Sequence, residues 1–379
     1  MQPFTLLIKP SGSDCNLDCK YCFYKNRAPE VGQGRQRMSQ KVLEGMVKDY
    51  LGLGLGICGF AWQGGEPMLM GLDFYKKAVE LQKKYSQAGQ TVSNALQTNA
   101  VLLDEKWCQF LHENKFLVGI SIDGPKEFHD YYRLDHSGHG TFDKVMKAIE
   151  LCKEYKVQFN TLTLLNSKNV GHPDELFDFL VGKGVRYLQF ISCVEKDPAT
   201  GEIADFAITP KQYGEFLCRI FDRWYDYGPD KVSIRDFDSI LSLCAVGKHT
   251  LCTFDKQCST YIVIEHTGDA FCCDFFVEPG WKLGNIFETP IGKLASGSKK
   301  RTFARTKQRL CGRCIACRHL AVCRGGCMKD RTVFQRDNFT QVSYFCESYK
   351  RFFDYAMPRF MQIAAAINAG RRGHNGTEI

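Results

Sequence analysis

Residues 4–24 read FTLLIKPSGSDCNLDCKYCFY. Thr5–Ile8 is a short apolar, β-prone run, and it passes straight into a glycine- and serine-containing loop. That loop carries Cys15, Cys19 and Cys22 in the spacing C-x3-C-x2-C. Three thiolates on one short loop can hold three irons of a four-iron, four-sulfur cluster and leave the fourth iron open to a ligand. A structural zinc site asks for four ligands and closer pairs. The spacing therefore favours an open-site cluster and says nothing of what binds there.

Working outward, β-prone runs alternate with helical patterns as far as about residue 190. The expected strands are Thr5–Ile8, Ile57–Gln63, Thr91–Gln97, Leu117–Ile122, Val157–Leu164 and Tyr187–Phe190. Between them the apolar spacing predicts helices near 39–50, 72–85, 104–114, 141–153 and 173–182. Such alternation describes βαβ units around a parallel sheet, and six of them fit an incomplete barrel at least as well as an open doubly wound sheet. Chemistry then belongs at the C-terminal ends of the strands. There the first strand meets the cysteine loop and the second meets Gly64-Gly65-Glu66-Pro67. The third ends at Gln97-Thr98-Asn99 and the fourth at Ser121-Ile122-Asp123-Gly124-Pro125. Glycines permit close backbone approach, and a carboxylate accepts hydrogen bonds from an ammonium. Alone, the segment at 64–67 would read as a turn.

Further on, Thr209-Pro210 reads as a cap opening a helix to about Tyr225, and another helix near 236–246 can end at Gly247. Residues 260–276 read as a hairpin turning at 266–269. The cysteine-rich stretch 311–346 is weakly periodic, so its fold should depend on metal. A helix is expected over roughly 346–369, then a frayed tail.

Nineteen cysteines in 379 residues, unevenly placed, argue for metal ligands or thiol chemistry in a cytoplasmic chain. Cys58, Cys108, Cys152, Cys193, Cys218 and Cys244 are scattered through apolar or helical stretches and read as small buried hydrophobes. No apolar run is long enough to cross a membrane as a helix. The net charge of +8 does not point to nucleic acid, because thiolates bound to clusters would offset much of it and no dense basic run is present.

The motif at Cys15, Cys19 and Cys22, with Tyr21 before the last cysteine, resembles the radical S-adenosylmethionine superfamily. The resemblance implies that the open iron binds S-adenosylmethionine and that its cleavage yields a 5′-deoxyadenosyl radical. It gives Gly64, Gly65 and Glu66 to the cofactor's amino group, and suggests Tyr24, Ser121 and Arg133 as further cofactor contacts. The later cysteines resemble the SPASM extension, which carries two auxiliary four-iron clusters. Carried over, Cys252, Cys258, Cys273 and Cys327 hold the first; Cys314, Cys317, Cys323 and Cys346 hold the second. Cys272 and Cys311 are extra neighbours that spacing alone does not exclude.

LLIKP, Cys22-Phe23-Tyr24, Gln63-Gly64-Gly65-Glu66-Pro67, Leu96-Gln97-Thr98-Asn99, Cys273-Asp274-Phe275 and Cys346-Glu347-Ser348-Tyr349-Lys350 together resemble the anaerobic sulfatase-maturating enzymes. That resemblance implies a partial (β/α)6 TIM-like barrel with a C-terminal SPASM module. The implied divisions are 1–235 for barrel and connector, 236–350 for SPASM, and 351–379 for a C-terminal helix and flexible tail. It implies three [4Fe-4S] clusters, oxidation of a sulfatase cysteine or serine to Cα-formylglycine, and Asp274 as the base. An auxiliary cluster would accept the second electron. The implied partners are an unfolded or partly folded sulfatase polypeptide and a flavodoxin- or ferredoxin-like electron donor, with no nucleic acid or membrane. A ribosomal-peptide maturase forming thioether or carbon–carbon crosslinks is the alternative; the lack of room for a leader-binding module before Cys15 speaks against it.

Overall fold

The structure, a computed structural model, describes residues 3–24, 32, 34–197, 199–335 and 338–374. Ten strands run along the described residues: β1 Thr5–Lys9, β2 Ile57–Trp62, β3 Thr91–Thr98, β4 Leu117–Ser121, β5 Gln158–Leu165, β6 Tyr187–Ser192, β7 Ser233–Ile234, β8 Tyr261–Glu265, β9 Asp269–Phe271 and β10 Lys282–Asn285. The longer helices are α1 Gln40–Leu51, α2 Leu72–Tyr85, α3 Glu105–Glu113, α4 Lys126–Tyr132, α5 Phe142–Glu154, α6 Pro173–Gly182, α7 Pro210–Tyr227 and α8 Arg235–Val246, followed by a C-terminal helix, Cys346–His374. β1 through β6 are each followed by at least one helix, so the mixed α/β class and the six-unit alternation expected from sequence are present. No helix among the described residues is long and apolar enough to cross a membrane.

The chain divides into two compact units that interleave in sequence: 1–162 with 258–305, and 163–257 with 306–379. These divisions differ from boundaries at 235 and 350. The reason is β8, which pairs in parallel with β1, Leu6 opposite Ile262 and Lys9 opposite Glu265, and so places the hairpin in the first unit.

In the first unit β1, β2, β3, β4 and the start of β5 are parallel neighbours. Leu6 and Ile8 are fully buried, as alternation along β1 requires, but Lys9 is buried beside them at 1% exposure. α2 lays Tyr75, Ala78 and Leu81 into the core, and the Tyr75 ring meets Trp62 of β2 edge-on at 5.5 Å. A buried side chain the size of Leu81 contributes roughly 1.5–3 kcal/mol by leaving water. β8 and β9 form the expected hairpin, and β10 adds an antiparallel edge that the sequence did not suggest.

In the second unit β6 pairs in parallel with β7. α7 begins with a capping box: the Thr209 hydroxyl accepts from the Gln212 amide at 3.2 Å, and Gln212 Oε1 accepts from the Thr209 amide at 2.9 Å. α8 stops at Gly247, whose φ of 73° satisfies the left-handed cap. The C-terminal helix runs to His374, beyond the expected end at 369, and contains Pro358. Its Phe352 and Phe360 close an aromatic core with Phe221, Trp224 and Phe237. That burial offsets the lost backbone hydrogen bond at the proline. Residues 375–379 of the expected tail lie outside the described residues.

Candidate active site

In the first unit the cysteine loop is held from several sides. The Gly65 and Glu66 amides donate to the carbonyls of Gly12 and Asp14, both at 2.8 Å. A side-chain carbon at Gly65 would stand 2.0 Å from the Asp14 carbonyl oxygen, so only glycine lets the two loops touch. On the other flank Gln36 Oε1 accepts from the Ser13 amide at 2.8 Å, Arg37 pairs with Asp14 at 2.5 Å, and the His136 ring lies 2.9 Å from the Cys15 carbonyl.

Cys15, Cys19 and Cys22 are half-buried. Burial first, then the charge of Glu66 and the two neighbouring thiols, pushes the Cys15 thiol up. A pocket that disfavours thiolates standing alone suits them once a cationic cluster shares it. Among the described residues no three His, Cys, Asp or Glu side chains meet closely enough to hold a single metal ion. A four-iron cube binds each thiolate at a different corner, so its ligands surround a space rather than converge on a point.

Glu66 is fully buried and well supplied with donors. Its Oε1 accepts from the Met68 amide at 2.9 Å and the Thr98 hydroxyl at 2.8 Å, and its Oε2 from the Asn99 amide at 2.8 Å. A carboxylate offers about four acceptor sites, so one remains on Oε2. Burial pushes Glu66 up to about 7, against the lowering effect of those donors. Asn99 also donates to Asn16 Oδ1 at 2.8 Å, with its amide nitrogen 3.7 Å from Cys15 Sγ, and thereby links the third strand to the cysteine loop.

Ser121 stands half-buried at the end of β4. Arg133 caps α4 and its Nε lies 3.1 Å from Asp123 Oδ2, which also accepts from the Tyr21 hydroxyl. The guanidinium lies over the Tyr21 ring at 5.5 Å. The fourth strand end is thus tied to the residue preceding Cys22.

Asp274 opens the short turn after Cys273 and is buried. Lys9 Nζ lies 2.6 Å from its Oδ1, and the Gln63 amide lies 3.4 Å from its Oδ2. Tyr24 is buried with its hydroxyl donating to Glu265 Oε1 at 3.0 Å, and Lys9 sits 4.5 Å from its ring centre. Burial raises Glu265 to about 7, and the charge of Lys9 opposes it. Lys9, Glu265, Asp123 and Asn99 were not singled out from sequence as functional residues. The only signal was their position at the ends of β-prone runs.

The remaining cysteines divide between the units. Cys258 and Cys273 belong to the first, where the Tyr261 hydroxyl is 3.1 Å from Cys273 Sγ. Cys272 is buried, its thiol pushed up to about 12 by burial, and its carbonyl accepts from Lys300 at 2.8 Å. In the second unit burial and the neighbouring Cys327 raise the Cys252 thiol. There Cys314, Cys317, Cys323 and Cys346 line one cavity together with Tyr349. Burial pushes Cys314 up to about 12 and Cys323 up to about 11. Four thiols around one cavity fit a fully ligated cluster, and Cys311 sits beside Cys314 in hydrogen-bond contact.

Residues 10–180 match the Radical SAM superfamily, and residues 252–318 match SPASM, an iron–sulfur cluster-binding domain. The chain is 41% identical over 372 residues to a cysteine-type anaerobic sulfatase-maturating enzyme of Clostridium perfringens, covering 97% of this chain and 100% of that protein. It is 36% identical over 374 residues to a serine-type anaerobic sulfatase-maturating enzyme of Bacteroides thetaiotaomicron, covering 94% and 90%. A solved structure of native anSMEcpe with bound AdoMet and Cp18Cys peptide superimposes with a TM-score of 0.90 at 39% identity, covering 96% of this chain and 100% of that one. The chain belongs to the anaerobic sulfatase-maturating enzymes of the Radical SAM superfamily.

Proposed function

We propose that this chain oxidises a cysteine, or alternatively a serine, of a sulfatase polypeptide to Cα-formylglycine. The observation that carries the proposal is the placing of Asp274. A buried carboxylate next to Cys273 is held by Lys9 and Gln63, residues at the ends of the two strands that lead into the cysteine loop and the glycine-glycine-glutamate segment. When bound, S-adenosylmethionine with the cluster of Cys15, Cys19 and Cys22 supplies removal of a hydrogen atom from the target Cβ, and the auxiliary clusters supply an acceptor for the second electron.

Asp274 takes the proton from the target thiol or hydroxyl, within direct reach or through one water. Glu66 meets the cofactor's ammonium with its remaining acceptor site, Gly64 and Gly65 allow the close approach, and Tyr24, Ser121 and Arg133 complete its surroundings. Cys252, Cys258, Cys273 and Cys327 are the ligands assigned to the first auxiliary cluster. Cys314, Cys317, Cys323 and Cys346 are those assigned to the second. A flavodoxin- or ferredoxin-like donor and a sulfatase segment that is not yet folded complete the reaction in the cytoplasm.

The test is anaerobic turnover of the reconstituted chain on sulfatase-derived peptides carrying cysteine or serine at the target. The serine peptide should lose two hydrogens, and the cysteine peptide should exchange sulfur and two hydrogens for oxygen. Asp274→Asn should retain its iron and lose product. Cofactor cleavage with neither mass change would reject the assignment.

A further inference from the structure

Lys9 lies in β1 where alternation would leave a strand-ending lysine in water, yet it is 1% exposed. Withdrawing an ammonium from water costs several kcal/mol unless partners repay it, and an apolar residue could end the strand without that cost. Its surroundings are specific. Asp274 Oδ1 is 2.6 Å away, the Tyr24 ring lies beneath at 4.5 Å, and Glu265 is its in-register partner across the β1–β8 pair. Glu265 is buried, with Oε1 on the Tyr24 hydroxyl and Oε2 lacking a hydrogen-bond partner among the described residues. Lys9 therefore stands in a buried group of two carboxylates and a phenol, all within the first unit.

We propose that Lys9 is a positioning residue for Asp274: its ammonium occupies Oδ1 and fixes the carboxylate so that Oδ2, beside Gln63, is the atom presented to the substrate. This rests on the reading of Asp274 as the base. A carboxylate without this pairing could rotate, and an error of about 1 Å in a reacting group can cost on the order of 100-fold in rate.

The test uses the reconstituted full-length chain with Lys9→Met and Lys9→Ala, reading iron content, 5′-deoxyadenosine and formylglycine separately. Lys9→Met should keep iron and cofactor cleavage, lower the kcat for formylglycine on the order of 10- to 100-fold with little change in peptide KM, and so raise the 5′-deoxyadenosine released per aldehyde. Propylamine, which replaces the missing chain and ammonium, should restore product to Lys9→Ala. A merely structural lysine would not give that rescue. Iron-loaded Lys9→Ala that propylamine leaves inactive would overturn the inference. So would Lys9→Met making product at the native rate while Asp274→Asn makes none, a result that leaves the base reading standing. Native product formation by Asp274→Asn would instead remove the base reading itself.

Discussion

Glu66 Oε2 accepts the Asn99 backbone amide at 2.8 Å, joining the loop after β2 to the loop after β3 inside a fully buried site. Under the proposed function Glu66 has two duties, since the carboxylate that ties the strand ends is also the one proposed to meet the cofactor's ammonium.

A pH dependence follows from that burial. Glu66 moves from an ordinary 4.5 to about 7, because burial outweighs its donors. Without a cation nearby, its ionisation is a cost to folding that grows as pH rises between those values. An ammonium ligand reverses the preference and favours the carboxylate. S-adenosylmethionine affinity should therefore rise as pH increases through about 7, and Glu66→Gln should bind weakly with that dependence flattened. Equilibrium binding from pH 6 to 8 checks it; identical profiles for both proteins would contradict it.

Gly65→Ala should break the contact between the cysteine loop and the segment after β2. The added carbon would meet a backbone oxygen, which cannot swing aside as a flexible side chain would. Iron content and cofactor binding at the first cluster should both fall, while cysteines of the second unit keep their iron. Full iron loading and native binding would show that the loops can separate without harm.

Asp123→Asn removes the charge facing Arg133, whose side chain is 11% exposed. Breaking a buried pair from one side typically costs about 3–5 kcal/mol, because the remaining charge is left in the interior. A lower Tm and weaker cofactor binding are expected. Asp123→Asn with Arg133→Met should recover part of the Tm and none of the binding. Recovery of both would give Arg133 a structural role only.

Phe360→Ala should cost roughly 3–5 kcal/mol by opening a cavity against Phe221, Trp224 and Phe237. Thermal unfolding of the cluster-loaded chain measures it; a conservative Phe360→Leu should lose much less.

The sequence made the strands of the barrel, the cysteine loop and the 260–276 hairpin legible, because apolar runs and cysteine spacing are local signals. It could not show that β8 lies beside β1, a pairing between segments more than 250 residues apart in sequence. For that reason Lys9 drew no functional reading beyond its place in the LLIKP stretch, and Glu265 read only as part of a hairpin. α4 was missed because Asp123-Gly124-Pro125 reads as loop, and its seven residues are too few for a clear period. The helix at Ser298–Thr306 was missed because SKKRTFART offers four cations and one aromatic residue, a composition without an apolar stripe. Ligand sets remained assignments by resemblance, since several cysteines such as Cys311 and Cys272 lie beside the chosen ones.

The most direct measurement of the central claim is deuterium transfer from a sulfatase peptide dideuterated at the target Cβ. The account predicts one deuterium in 5′-deoxyadenosine for each formylglycine formed, with the second deuterium kept in the aldehyde. Release of unlabelled 5′-deoxyadenosine, with the peptide unchanged, would contradict it.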